Sequence, residues 1–147
     1  MNGIILDTNV LSELMRSTPD PAVVAWFERQ GAVTFYVTAI TQAEILLGVA
    51  LLPAGKRRDA LAEAAARMFR EDFFGNCLPF DESCAAWYAS VVANRRRSGF
   101  SATTEDAQIA AIALRHKLPL ATRNTKDFLH IADLILDNPW CSSVVSG

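Results

Sequence analysis

The 147-residue sequence has little of what several function classes require. It holds 3 cysteines, Cys77, Cys84 and Cys141, an odd count with no Cys-x-x-Cys spacing, so neither a disulfide framework nor a thiolate zinc site is expected. They read as reduced thiols of a cytoplasmic protein. The 2 histidines, His116 and His130, suit a helix end and a surface position rather than a ligand set. A formal net charge of −2 gives no global attraction to nucleic acid, so any such contact must come from local basic patches or metal ions. No apolar run is long enough to span a bilayer, and no basic segment followed by a long apolar stretch marks a secretory signal. Repeats, low-complexity segments and linkers are missing as well. Residues 1–140 are therefore expected to form a single domain, and 141–147 a frayed C-terminal tail. The hydrophobic content of 51% is slightly high for a soluble chain, an excess that a homodimer interface would absorb.

What is present is an alternation of strands and helices. Gly3-Ile4-Ile5-Leu6 is an apolar, β-branched run that ends at Asp7, the pattern of a strand covered on both faces with its charge at the exit. A short helix follows from Val10 to Arg16. Asp20 then caps a helix with Pro21 in its first turn that runs to about Gln30. Val33–Thr38 reads as the second strand and leads into an apolar helix reaching Leu52. Lys56–Arg70 is a further helix with a solvated basic start. Cys77–Phe80 supplies a short strand, and Asp81 caps a helix that ends at Arg95-Arg96-Arg97-Ser98-Gly99, basic residues followed by glycine. Thr103–His116 is helical, Leu118–Thr122 a strand, Arg123–Phe128 a turn, and Leu134–Leu136 a last, edge strand. The alternation predicts an α/β protein with a central, mostly parallel sheet.

Four carboxylates recur at strand exits or in first helical turns, and each has an ordinary explanation. Asp7 suits an N-cap. Glu44 completes a capping box with Thr41. Asp106 complements the dipole of its helix, as Glu105 does, but shares a face with Ile109, Ala110 and Ala113 and is the inward one of the two. Asp127 suits a turn, one turn beyond the strand that ends near Thr122. In open α/β sheets the carboxyl ends of strands are where ligands sit, so all four point to one crevice. Bare, they would repel one another, and such a cluster requires raised pKa values or a bound cation. All-oxygen ligation suits Mg²⁺ or Mn²⁺ rather than zinc.

Together, Ile5-Leu6-Asp7-Thr8-Asn9, Thr41-x-Ala43-Glu44-Ile45-x-x-Gly48, Asp106-Ala107-x-Ile109-Ala110-Ala111-x-Ala113 and Thr122-Arg123-Asn124-x-x-Asp127-Phe128 resemble a PIN-domain protein of the VapC or FitB toxin type. The resemblance covers the chain in order and implies a three-layer α/β/α PIN-like fold and a Mg²⁺- or Mn²⁺-dependent ribonuclease of a type II toxin–antitoxin pair. Asp7, Glu44, Asp106 and Asp127 correspond to the family's acidic, metal-binding quartet. Thr8, Asn9, Thr122 and Asn124 fall at its supporting positions. In the mechanism this implies, water activated by the metal attacks the phosphorus and leaves a 5′ phosphate. Arg123 and Lys126 are candidates for phosphate contact, and the Arg95–Arg97 run is first a solvated helix end. The partners implied are an RNA substrate, a small antitoxin whose C-terminal segment covers the acidic site, operator DNA reached through that antitoxin, and a second copy in a homodimer.

Other strand-end aspartate enzymes fit less well. A haloacid-dehalogenase-like phosphatase wants a second Asp where Asn9 stands, and a receiver domain needs an acidic pair and a late Lys that cannot be assigned. A different reading is a PIN-fold binding module, or a subunit of a DNA-bound regulatory complex, whose acidic crevice chiefly receives an antitoxin segment.

Overall fold

The computed structural model describes residues 2–141 and the backbone of 144–146. Strand β1 (Gly3–Leu6) lies centrally, fully buried, because its apolar side chains go to both faces: Ile5 into one core, Ile4 and Leu6 into the other. Helices α1 (Thr8–Leu14) and α2 (Pro21–Arg29) lead to β2 (Thr34–Thr38). Helices α3 (Ala39–Ala50) and α4 (Lys56–Arg67), the latter extended by a wider turn at Met68–Asp72, lead to β3 (Cys77–Leu78). A 3-10 turn at Glu82–Cys84 opens α5 (Ala85–Arg97), and α6 (Thr104–His116), β4 (Leu120–Ala121), a 3-10 turn at Thr125–Asp127, β5 (Ile135–Asp137) and β6 (Val144–Ser146) follow.

The strand order is β3-β2-β1-β4-β5-β6, with the first five parallel and β6 antiparallel to β5. The expected three-layer α/β/α architecture is therefore present, built on a five-stranded parallel sheet. One expectation fails at its far edge: the tail adds a strand there instead of fraying, and β5 is an inner strand. A parallel β5 leaves its outer row of backbone groups open, and three residues of tail suffice to pair with it.

On one face Ile5, Leu120 and Leu136 pack under α5 and α6. On the other, Ile4, Leu6, Val37 and Ala121 pack with α1, Trp26 of α2 and Ile45 of α3. The close fit of β1 to β2 explains Gly3, where a Cβ would stand 2.6 Å from the Tyr36 ring. Among the described residues no helix is long and apolar enough to cross a membrane, and Cys77, Cys84 and Cys141 are free thiols.

Successive strands run outward from β1 through β2 to β3 on one side, and from β4 to β5 on the other. The topological switch therefore falls between β1 and β4, the place beyond the carboxyl ends of the strands where open α/β sheets take their ligands. The fold places Asp7 and Thr122, the residues that follow those two strands, side by side at this point.

Candidate active site

Asp7 does two jobs. It is the N-cap of α1, its Oδ1 accepting the Thr8 backbone N–H at 2.8 Å, and it is also buried at the switch point, with 5% of its surface exposed. Its Oδ2 accepts the Thr122 hydroxyl at 2.7 Å and the Asn9 amide at 3.4 Å. Thr122 has one hydroxyl proton and spends it on Asp7, so its oxygen is the acceptor for the Asn9 amide at 3.2 Å and for the Asn124 backbone N–H at 3.1 Å. Asn9 closes the ring by accepting the Arg123 backbone N–H at 3.1 Å. The segment after β4 is thus fastened to the segment after β1, and every donor to the Asp7 carboxylate is neutral.

Glu44 sits on α3, one turn further in than a capping box requires. Thr38, not Thr41, is the N-cap of α3, its hydroxyl accepting the Thr41 N–H at 3.1 Å. The helix begins earlier than expected because Ala39 and Ile40 are already helical. Glu44 is therefore free of the capping role, and its Oε1 takes the Thr8 hydroxyl at 2.6 Å. Thr8 having donated to Glu44, the 3.0 Å contact between Thr8 and Thr41 has the buried Thr41 as donor. This relay from Thr41 through Thr8 to Glu44 crosses between α3 and α1, positions 33 and 36 residues apart, which is why only Thr8 is visible as a supporting residue from sequence.

Asp106 lies in the first turn of α6, whose N-cap Thr103 accepts its backbone N–H at 3.1 Å. It is half-buried while Glu105 is exposed, the facing the helical spacing predicts. Asp127 closes the 3-10 turn after β4, its N–H bonded to the Asn124 carbonyl at 3.0 Å. Asn124 thus works through its backbone.

Burial, first, pushes the Asp7 carboxyl up to about 6; the Thr122 and Thr8 bonds pull it down, and the charges of Asp106 and Glu44 push it up again. Burial likewise raises Asp106, opposed by Thr103 and reinforced by Asp127, Glu44 and Glu105. Asp7 has Asp106 and Glu44 as charged neighbours, and Asp106 has Glu44 and Asp127; among the described residues none of the four is paired with a lysine or arginine. No group of three or more His, Cys, Asp or Glu side chains is already drawn together around a cation position among those residues. The donor set nevertheless suits a hard divalent cation in kind: all oxygen, anionic, uncompensated, and held at Asp7 and Glu44 by neutral hydroxyls that leave the charge intact.

The cations expected to contact phosphate behave differently from one another. Lys126 is exposed. The Arg123 guanidinium lies over the Trp140 ring, 4.9 Å from its centroid. The Arg95–Arg97 run is not a uniformly solvated helix end, since Arg95 is buried with 4% exposure and only Arg96 and Arg97 face solvent. Beside Thr8 and Glu44 a groove of about 730 Å³ runs between α1, α3 and α4, lined by Met15, Ile45, Val49 and Leu61 with Arg16 and Arg57 at its rim.

Comparison with known proteins agrees with this architecture. Residues 4–134 match the PIN domain. The chain is 43% identical over 137 residues to the toxin FitB of Neisseria gonorrhoeae, covering 93% of this chain and 98% of that protein. It is 42% identical over 137 residues to a VapC ribonuclease of Sinorhizobium fredii, covering 93% and 97%. The structure of FitAB bound to a DNA fragment superposes with a TM-score of 0.85 at 40% identity, over 95% of this chain and 97% of that one. With its sheet order, its strand-exit aspartate and these relatives, the chain belongs to the PIN-domain family.

Proposed function

We propose that this protein is the toxin of a type II toxin–antitoxin pair and acts as a ribonuclease, hydrolysing RNA phosphodiesters with Mg²⁺ or Mn²⁺. The observation that carries the reading is the buried Asp7 at the switch point, without a countercharge and with Glu44 and Asp106 as charged neighbours, in a chain whose relatives include a VapC ribonuclease and the FitB toxin. Asp7, Glu44, Asp106 and Asp127 are the residues that would hold the cation. Such a cation supplies Lewis-acid stabilisation of phosphate charge and makes water a nucleophile at neutral pH. The chain's own groups orient the acids: Thr122 and Asn9 fix Oδ2 of Asp7, and Thr8, backed by Thr41, fixes Oε1 of Glu44. Water adds to phosphorus, the bond to the 3′ oxygen breaks, and the products carry a 5′ phosphate and a 3′ hydroxyl.

A cognate antitoxin fits the same end of the molecule. The apolar groove beside Glu44 accepts an amphipathic segment, and the unpaired carboxylates beyond it accept a basic side chain. Operator DNA is then reached through the antitoxin, in keeping with the DNA complex of the FitAB relative. The exposed apolar residues Leu47, Leu51 and Phe74 suit a homodimer, and we place the protein in the cytoplasm. The test incubates the purified chain with structured RNAs, with and without Mn²⁺, and maps the cuts. Cation-dependent cuts bearing 5′ phosphates, lost in Asp7→Asn, are expected. Cutting that persists in Asp7→Asn overturns the assignment, and antitoxin binding without any cutting favours the binding-module reading.

A further inference from the structure

The buried arginine of α5 organises a surface that the catalytic reading does not use. The Arg95 guanidinium donates through Nη1 to the Leu129 carbonyl and through Nη2 to the Ser101 carbonyl at 3.2 Å, stapling segment 98–103 to segment 128–130. Its Cζ lies 5.5 Å from the centroid of Phe100, over the ring. The Phe100 ring in turn stacks on the His130 imidazole, with centroids 4.7 Å apart and planes inclined by 21°. Both rings reach solvent, Phe100 with 41% of its surface exposed. His130 holds this position with φ at +66°, a left-handed backbone that a non-glycine residue rarely adopts.

The two segments are those that carry the acids on this side of the crevice. Phe100 is six residues before Asp106, and His130 three residues after Asp127. Arg96, exposed on the last turn of α5, lines a small cavity of about 140 Å³ together with Phe100, Thr103 and Thr104 at the start of α6. A flat, rigidly backed aromatic pair beside an exposed guanidinium has the composition of a site for single-stranded nucleic acid: π-faces for bases, a cation for the backbone.

Resting on the ribonuclease reading, we propose that the Phe100–His130 pair stacks an unpaired base of the RNA substrate, with Arg96 taking an adjacent phosphate. Duplex RNA, whose bases are already stacked and paired, cannot offer such a face.

The test measures binding separately from cutting. In an Asp7→Asn background, fluorescence anisotropy follows a labelled single-stranded oligoribonucleotide, the same sequence as a duplex, and the same backbone carrying abasic sites. Phe100→Ala with His130→Ala is expected to weaken single-strand binding about tenfold, the order of one lost base stack, and to leave abasic and duplex binding unchanged. Phe100→Leu, which keeps apolar volume, should lose most of the same affinity, and His130→Tyr should keep it. Equal binding by the parent and the double variant overturns the proposal, as does an equal loss towards abasic RNA. So does an unchanged RNA affinity with weakened antitoxin binding, which would assign the surface to the protein partner. Metal-dependent cutting by the unsubstituted chain is scored in parallel: cutting with no base-dependent binding defeats the stacking surface alone, whereas base-dependent binding with no cutting defeats the ribonuclease reading alone.

Discussion

Two carboxylates are almost equally buried in this molecule, and they are opposites. Glu13, 7% exposed, faces the Arg16 guanidinium at 3.0 Å and accepts the Asp20 backbone N–H at 2.8 Å, so its charge is answered where it lies. Asp7, 5% exposed, has only neutral donors and looks toward Glu44 and Asp106. Burying a charge is costly unless it is paired. Glu13 is a structural group that ties α1 to the start of α2, whereas Asp7 keeps an unmet demand for positive charge at the place where the fold opens. Burial alone therefore does not separate the two carboxylates; the presence or absence of a countercharge does.

The largest effect expected from this contrast is on cleavage. Asp7→Asn should lower Mn²⁺-dependent RNA cutting by on the order of a thousandfold, the scale of losing a group that stabilises transition-state charge, while Glu13→Gln leaves the rate per folded molecule within a few-fold. The α6 pair makes the same comparison on a single helix turn: Asp106→Asn should abolish cutting and Glu105→Gln should retain most of it, and the reverse ranking in an initial-rate assay would show that the wrong face of α6 has been chosen.

Stability should move in the opposite sense at the two sites. The Asp7 carboxyl titrates at about 6 in the fold against 3.8 for an unperturbed aspartate, so the folded protein binds more protons between those values. Its contribution is present below pH about 3.8 and is lost as pH rises through about 6, reaching at most about 3 kcal/mol. Without added metal, Asp7→Asn should therefore be more stable than its parent at pH 7 in urea titrations, with the gap closing below about pH 4. Glu13→Ala, which strands the Asp20 N–H, should lose about 1–3 kcal/mol. An effect of similar size comes from mass action: Mn²⁺ at about a hundred times its dissociation constant should stabilise the parent by about 2.7 kcal/mol, raising its Tm and moving Asp7→Asn far less.

The helix cap at Asp7, the inward facing of Asp106 and the parallel sheet were legible because each is written in a few consecutive residues or in one period. A crevice at the carboxyl ends of the strands followed from strand alternation, whereas its place between β1 and β4 needed the strand order, which alternation alone does not fix. What could not be read is nonlocal. Thr38 and Thr41 offer the same cap chemistry, and only the helicity of Ala39 and Ile40 decides between them. Thr41 joins the site through a hydroxyl relay that crosses from α3 to α1. Arg95 looks like its neighbours Arg96 and Arg97, because its acceptors are backbone carbonyls of Ser101 and Leu129, which no side-chain pattern announces. The stacking of Phe100 on His130 depends on that same staple.

Whether the Asp7 carboxylate helps to hold a divalent cation is tested most directly by calorimetric titration of Mn²⁺ into the metal-free chain. Saturable binding by the parent and by Glu13→Gln, lost or severely weakened in Asp7→Asn, is the predicted result. Indistinguishable isotherms for all three proteins would contradict it.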